Sequence, residues 1–263
     1  MHASSVGGMM SKDKPDLPAG GSERIVTGID GLDKILGGGF PKSRTILLAG
    51  GPGCGKTILS TQFLCNGARL YGETGVYVTL GETPRGIVQN LSSFDFKINE
   101  LVMQRKLAFI DLSISGALRR QAEAGKKIDF AVLKDLIRPV VEELGAKRLV
   151  IDPITAMGIN RDLPEIRERL TEFATFASDF GCTTLLVSET PIDQNIISVF
   201  GVEEFVVDGV IVLHNMRRGG TRVRGVEIVK MRGTDHGAHI YPVQFSRQGL
   251  LVFPEERVHG DDS

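Results

Sequence analysis

The sequence predicts an α/β fold, a mostly parallel central sheet flanked by helices with a C-terminal antiparallel extension. Three observations predict it. From Arg44 onward, short aliphatic or β-branched runs alternate with longer amphipathic stretches, a rhythm that implies parallel strands joined by right-handed crossovers. The runs TILLA, RLVI and TLLV are near-continuously apolar, as strands buried on both faces should be. The last third of the chain then changes to strand-like segments separated by turn-rich loops.

In chain order, Thr45–Ala49 is the first strand and runs into a glycine loop. Thr57–Arg69 carries Ile58, Phe63, Leu64 and Ala68 at helical spacing. Gly75–Leu80 is a second strand, and Pro84–Phe94 reads as a helix with proline in its first turn. Leu107–Leu112 is a third strand. The helix Asp129–Leu144 has Asp129 as its N-cap and Gly145 as its stop. Arg148–Asp152 is a fourth strand. Pro164–Phe180 is a helix closed by Gly181, and Thr183–Ser188 is a fifth strand. Val206–His214, Val223–Met231, His239–Phe245 and Leu250–Phe253 form the extension, with Arg217-Arg218-Gly219-Gly220 as a hairpin turn.

Composition bounds the function. The 263 residues suit one domain, expected over residues 22–254, between an N-terminal arm at 1–21 and a flexible tail at 255–263. With 31 basic against 32 acidic residues, the net charge of −1 gives no overall field to gather nucleic acid or anionic membrane. The three cysteines, Cys54, Cys65 and Cys182, lack paired spacing, which argues against a disulfide framework or zinc site and for a reducing cytoplasm. No apolar run has the length of a membrane span. The five histidines show no metal-binding helical spacing.

Gly50-Gly51-Pro52-Gly53-Cys54-Gly55-Lys56-Thr57 matches G-x-x-x-x-G-K-[ST] in full, between a buried strand and a helix. Backbone N–H groups of Gly51, Pro52-flanking Gly53, Cys54, Gly55, Lys56, Thr57 and Ile58 would surround phosphate, where the helix N-terminus favours negative charge. Lys56 would neutralise the β/γ-phosphates, and the Thr57 hydroxyl would ligate Mg²⁺. The magnesium shell needs an acidic residue on a neighbouring strand. Asp152, ending RLVID, is favoured over Asp111, ending LAFID, because its strand is more continuously apolar. Glu82, just past the second strand, is placed to orient water for hydrolysis or, alternatively, to cap the helix starting near Pro84. Ser188-Glu189 could sense the γ-phosphate or simply end a strand.

These residues together resemble the KaiC group of the RecA superfamily of ATPases. The lead-in Thr27-Gly28-Ile29-Asp30-Gly31-Leu32-Asp33 with Gly37-Gly38-Gly39 is similar to the segment before that family's P-loop. So are Glu82-Thr83-Pro84 with Ser93-Phe94, Val150-Ile151-Asp152 with Thr155-Ala156, the block Gly201–Asp208, and Lys230-Met231-Arg232-Gly233-Thr234-Asp235-His236. The resemblance spans residues 24–253. It implies a RecA-like domain that binds ATP and Mg²⁺ and assembles with itself into a ring, usually a hexamer, with nucleotide between subunits. It implies Ser93 near the base. It implies Lys230, Met231, Arg232, Thr234, His236 and Ser246 serving the nucleotide of an adjacent subunit. By residue type alone, Lys230 and Arg232 could equally be a solvated strand edge at i, i+2 spacing.

Two departures matter. The family carries adjacent glutamates after the second strand, and Gly81 stands at the first, so hydrolysis is expected to be slow. The two-domain clock members autophosphorylate a Ser-Thr pair where this chain has Glu204-Phe205, so no phosphorylation of that type is expected here. The leading expectation is a slow Mg²⁺-dependent ATPase acting as a ring-forming signalling module with a partner protein yet to be named. A recombinase-like DNA-dependent ATPase would use the clusters Arg217, Arg218, Arg222, Arg224 or Arg119, Arg120, Lys126, Lys127; neither holds an aromatic residue for base stacking, which disfavours nucleic acid. A nucleotide switch with little hydrolysis is the third reading, supported by Gly81.

Overall fold

The computed structural model describes residues 23–113, 130–157, 163–190, 197–199 and 201–258. The expected Asp129 cap, the arm at 1–21 and the basic cluster from Arg119 to Lys127 lie outside the described residues. A two-stranded antiparallel ribbon, β1 (Arg24–Ile25) and β2 (Phe40–Pro41), brackets the short helix α1 (Leu32–Ile35). The Asp33 carboxylate accepts the backbone amides of Thr27 and Gly28 at 2.8 and 2.9 Å, so the lead-in motif is a loop tied to itself.

The remaining strands form one sheet of nine. They are β3 (Thr45–Gly50), β4 (Gly75–Thr79), β5 (Leu107–Asp111), β6 (Arg148–Asp152), β7 (Thr183–Glu189), β8 (Gly209–Arg218), β9 (Thr221–Met231), β10 (Ile240–Ser246) and β11 (Gly249–Val252). Their order is β11-β10-β9-β8-β3-β7-β6-β4-β5. Strands β8 through β5 in that order are parallel, and β9, β10 and β11 add antiparallel pairs at one side. The expected parallel sheet with an antiparallel extension is therefore the observed fold.

Burial on both faces follows from the pleat, which sends successive side chains to opposite sides. On β3, Ile46 and Leu48 join the core beneath α2 (Lys56–Asn66), while Leu47 and Ala49 join the core beneath α5 (Phe130–Leu144) and α6 (Leu163–Asp179). The helices α3 (Pro84–Asn90) and α4 (Ile98–Met103) complete the first face.

Several boundaries differ from expectation, each for a local reason. The first long helix is α-helical only to Asn66 and continues as a π-turn, Gly67–Tyr71. There Arg148 lies against it: a Cβ on Gly67 would fall 2.2 Å from Arg148 Nε. Helix α3 stops at Asn90, short of Phe94, and residues 91–93 form a turn. Val206 is not in a strand. It ends the helical turn α7 (Glu203–Val206), and β8 starts at Gly209. In the β8–β9 hairpin, Arg217 pairs with Arg222 and Arg218 with Thr221, leaving Gly219 and Gly220 as the turn. Their φ values of +49° and +83° are the left-handed conformations that a two-residue hairpin turn requires.

Arg148, the first residue of β6, is also a fully buried cation. Its guanidinium donates to Glu73 Oε2, to Phe63 O at 2.7 Å and to Val26 O at 2.7 Å, and lies 4.5 Å from the Phe63 ring centroid. One side chain thus ties the lead-in, α2 and β6 together. Among the described residues, no helix is long and apolar enough to cross a membrane.

Candidate nucleotide-binding site

The phosphate loop begins where β3 ends and closes into α2. Gly55, the residue before α2, has φ +105°, and a Cβ there would lie 2.5 Å from Phe245 Cζ. The position demands glycine twice over, for its backbone conformation and for the ring that covers it. Lys56 is turned along the loop, donating to Gly50 O at 2.7 Å and Gly51 O at 3.0 Å.

Parallel pairing places the chemistry at one end of the sheet. Thr79 of β4 is level with Asp152 of β6, and Gly50 of β3 with Glu189 of β7. The resulting cavity of about 580 Å³ is lined by Pro52, Gly53, Gly55, Lys56, Thr57, Ile58, Gly81, Glu82, Asn90, Asp152 and Glu189, among others. It lies beyond the carboxyl ends of the strands, where ligands of open α/β sheets sit. A groove of about 730 Å³ between α5 and α6 is larger, but its lining includes no residue of the phosphate loop.

Asp152 is the acidic residue brought to the loop. Thr57 Oγ1 donates to Asp152 Oδ2 at 3.2 Å, and Tyr77 OH donates to the same oxygen. Burial pushes the Asp152 carboxyl above its usual range; the hydrogen bonds from Tyr77 and Thr57 and the charge of Lys56 oppose this, and the charge of Glu189 adds to it. Burial, with the neighbouring Asp152 charge, likewise holds the Tyr77 phenol well above its ordinary value. A hydroxyl and a carboxylate meeting beside a phosphate loop are hard oxygen donors of the kind Mg²⁺ takes. Asp111, the competing carboxylate, lies on the edge strand β5, where Oδ1 accepts from Ser113 N at 3.0 Å and Ser113 Oγ at 2.6 Å. Tyr77 had no sequence signal beyond its place in an apolar strand.

Glu82 reaches the cavity, and the helix cap that was its alternative role falls to Thr83, whose Oγ1 accepts from Gly86 N at 3.2 Å. The Glu82 carboxylate instead accepts from Asn90 Nδ2. A side chain at Gly81 would meet Pro153, with Cβ 3.1 Å from Pro153 Cδ. Ser93 is exposed and absent from the lining, whereas its neighbours Leu91 and Phe94 line the wall. Cys54 is buried, and burial raises its thiol pKa.

The residues expected to serve an adjacent subunit divide. Met231 is level with Gly209, which is level with Ile46 at the start of β3. At about 3.3 Å per residue along β3, Met231 lies roughly 13 Å and Lys230 roughly 10 Å below the start of the loop, with Arg232 beyond them. They cannot serve this chain's own phosphate loop. Lys230 Nζ donates to Glu204 O at 3.0 Å and Val207 O at 2.7 Å, capping α7. Burial and the Arg232 charge lower the Lys230 pKa, against the pull of Asp208 and Glu204. Arg232 lies 3.5 Å from Asp208 Oδ1, which also pairs with Arg44 at 3.2 Å. The Met231 side chain is buried in the core, leaving only its backbone for a ligand. Thr234 Oγ1 accepts from Arg24 at 2.9 Å, and His236 Nδ1 sits 3.0 Å from Gly237 O.

Ser246 requires correction. Strand β10 runs antiparallel to β9, so its last residue returns to the phosphate-loop end, next to the Phe245 that covers Gly55. Ser246 therefore does not share a wall with Lys230 and Thr234. The arginine cluster is also less open than its sequence suggests: Arg224 lies 5.0 Å from the Phe245 ring centroid, Arg218 is half-buried, and Arg217 and Arg222 are exposed near the hairpin tip.

Comparison with known proteins agrees with this geometry. The family model described as "ATPase: KaiC" matches residues 25–257. The circadian clock oscillator protein KaiC of Parasynechococcus marenigrum is 36% identical over 243 residues, covering 90% of this chain and 47% of that protein. KaiC 1 of Synechocystis is 34% identical over 244 residues, covering 92% of this chain and 46% of the relative. The chain thus spans about half the length of these curated clock relatives. The UPF0273 protein of Thermotoga maritima is 34% identical over 243 residues, covering 90% of this chain and 99% of its own length. With its phosphate loop, its RecA-like parallel sheet and a family match across nearly all the described residues, the chain belongs to the KaiC family of ATPases.

Proposed function

We propose that the chain binds ATP with Mg²⁺ and hydrolyses it slowly, as a single-domain KaiC-like ATPase that assembles into a ring with nucleotide between subunits. The observation that carries the reading is the meeting of Thr57 with Asp152 at the mouth of the phosphate loop. Lys56 turns from the loop carbonyls to the β/γ-phosphates, and the backbone amides from Gly51 to Ile58 hold the phosphate chain. Mg²⁺, held by Thr57 and Asp152, would neutralise charge that develops on the phosphates. Lys230, Arg232, Thr234 and His236 face a neighbour, at the end of the sheet remote from their own loop. The six-membered ring, the cytoplasmic setting and a signalling partner complete the reading.

Slowness follows from Gly81, which offers no carboxylate where the family carries its first glutamate. The same residue supports a second reading, a nucleotide switch with little hydrolysis. Size-exclusion chromatography with light scattering, run beside phosphate release with and without ATP·Mg²⁺, tests both. The expected result is a ring that forms or tightens with ATP·Mg²⁺ and releases phosphate slowly. A monomer under every condition overturns the assignment of Lys230 and Arg232 to a neighbour. A ring without phosphate release favours the switch.

A further inference from the structure

We propose that Glu189, and not Glu82, is the carboxylate that takes the proton from the attacking water. The proposal rests on the hydrolysis reading above and names the residue that stands in for the missing side chain at position 81. Three carboxylates line the cavity: Glu82, Asp152 and Glu189. Asp152 is engaged by Thr57 and Tyr77 and, on the reading above, would hold Mg²⁺. Glu82 Oε1 is held by Asn90 Nδ2, and a Cβ built on Gly86 would lie 2.8 Å from that oxygen. Its carboxylate therefore lies along α3, between Gly86 of the first turn and Asn90 at the end. Position 81 carries no side chain, and a Cβ there would press on Pro153, which follows Asp152, at 3.1 Å from its Cδ.

Glu189 differs on each count. It is the last residue of β7, paired in register with β3 and level with Gly50 as the loop begins, beyond the point at Leu186 where the pairing with β6 ends. Adjacent strands stand about 4.8 Å apart, so its backbone borders the loop directly. Thr190 N continues the pairing by donating to Gly50 O at 3.2 Å. The Glu189 side chain is exposed to the cavity, and among the described residues its carboxylate has no hydrogen bond or ion pair. Its backbone is fixed by pairing with β3 on one side, while among the described residues its carboxylate is left unengaged. A general base needs that combination, a fixed position with an open acceptor.

In the step proposed, the water oxygen bonds to the γ-phosphorus while the bond from that phosphorus to the β–γ bridging oxygen breaks. One water proton passes to the Glu189 carboxylate. ADP leaves with the negative charge on the former bridging oxygen, beside Lys56, and Glu189 returns its proton to solvent or to the released phosphate.

The test compares wild type, Glu189→Gln and Glu82→Gln in single-turnover phosphate release with ATP·Mg²⁺, with nucleotide affinity measured separately by equilibrium titration. Loss of a general base lowers the rate by about 10²-fold or more, so Glu189→Gln is expected to show that loss with unchanged affinity while Glu82→Gln stays close to wild type. Glu189→Gln at the wild-type rate overturns the proposal, as does a large loss confined to Glu82→Gln. A Glu189→Gln chain whose affinity falls in step with its rate also overturns it, because the residue would then bind and not activate. A wild type that binds ATP without releasing phosphate overturns the hydrolysis reading and the proposal together, and that outcome is distinguished by the wild-type arm alone.

Discussion

Replacing Arg148 by alanine should destabilise the fold by about 4 kcal/mol. Removing one partner of a buried ion pair costs about 3–5 kcal/mol, since the other charge is left uncompensated. Here Glu73, whose side chain is 28% exposed, can recover part of its hydration, which moves the cost toward the lower end of that range. Against this, the Val26 carbonyl loses its guanidinium donor, at about 1–3 kcal/mol for a buried acceptor left unsatisfied. The Phe63 carbonyl suffers less, because the cap amide of Gly67 also donates to it. The lost ring contact and the space left behind add to the total. Equilibrium unfolding in urea, followed by circular dichroism, reads the change as a shift in midpoint at constant slope. Arg148→Met, similar in volume but uncharged, should lie between wild type and Arg148→Ala if Glu73 is rehydrated. A loss below about 1 kcal/mol for Arg148→Ala would refute the reasoning, because it would mean that water replaces every contact the guanidinium makes.

Two further outcomes follow from the same geometry. Gly55→Ala should weaken nucleotide binding and cost about 1–2 kcal/mol of stability from the left-handed backbone alone, with the approach of Phe245 adding to it; adding Phe245→Ala should return only the steric part, measured by nucleotide titration and urea unfolding of both variants. All three cysteines are buried, and burial pushes Cys65 to about 12 and Cys182 to about 11. The native chain should therefore resist a thiol reagent at mildly alkaline pH and react at all three positions once unfolded. Because unfolded thiols ionise near about 8.5, the unfolded state binds fewer protons above that pH, so these two groups make stability fall as pH rises from there toward their folded values.

The parts of this molecule that the sequence made legible are those encoded by neighbours in the chain. The phosphate loop is eight consecutive residues, and the preference for Asp152 over Asp111 came from the apolar run that places its strand inside the sheet. Arg148 was not legible, because its partners Val26, Phe63 and Glu73 come from three separate segments. The tight approach of Pro153 to position 81 joins the ends of two adjacent strands and leaves no periodic trace. Ser246 was misplaced for a related reason: its strand was recognised, but the direction in which antiparallel β10 returns it belongs to sheet topology. Val206 fell on the wrong side of a boundary because Glu203, an acidic residue, is buried, with its carboxylate accepting from Ser198 Oγ at 2.7 Å and Val202 N at 3.1 Å.

The register that separates Lys230 from the phosphate loop gives the subunit a head and a tail. On the ring reading proposed above, the Lys230 end of one copy meets the loop of the next by a repeated head-to-tail step, which leaves one loop uncapped until the last copy meets the first. Any chemistry that needs both ends would then be absent from the single subunit and appear with the first contact, so activity per chain would rise with protein concentration.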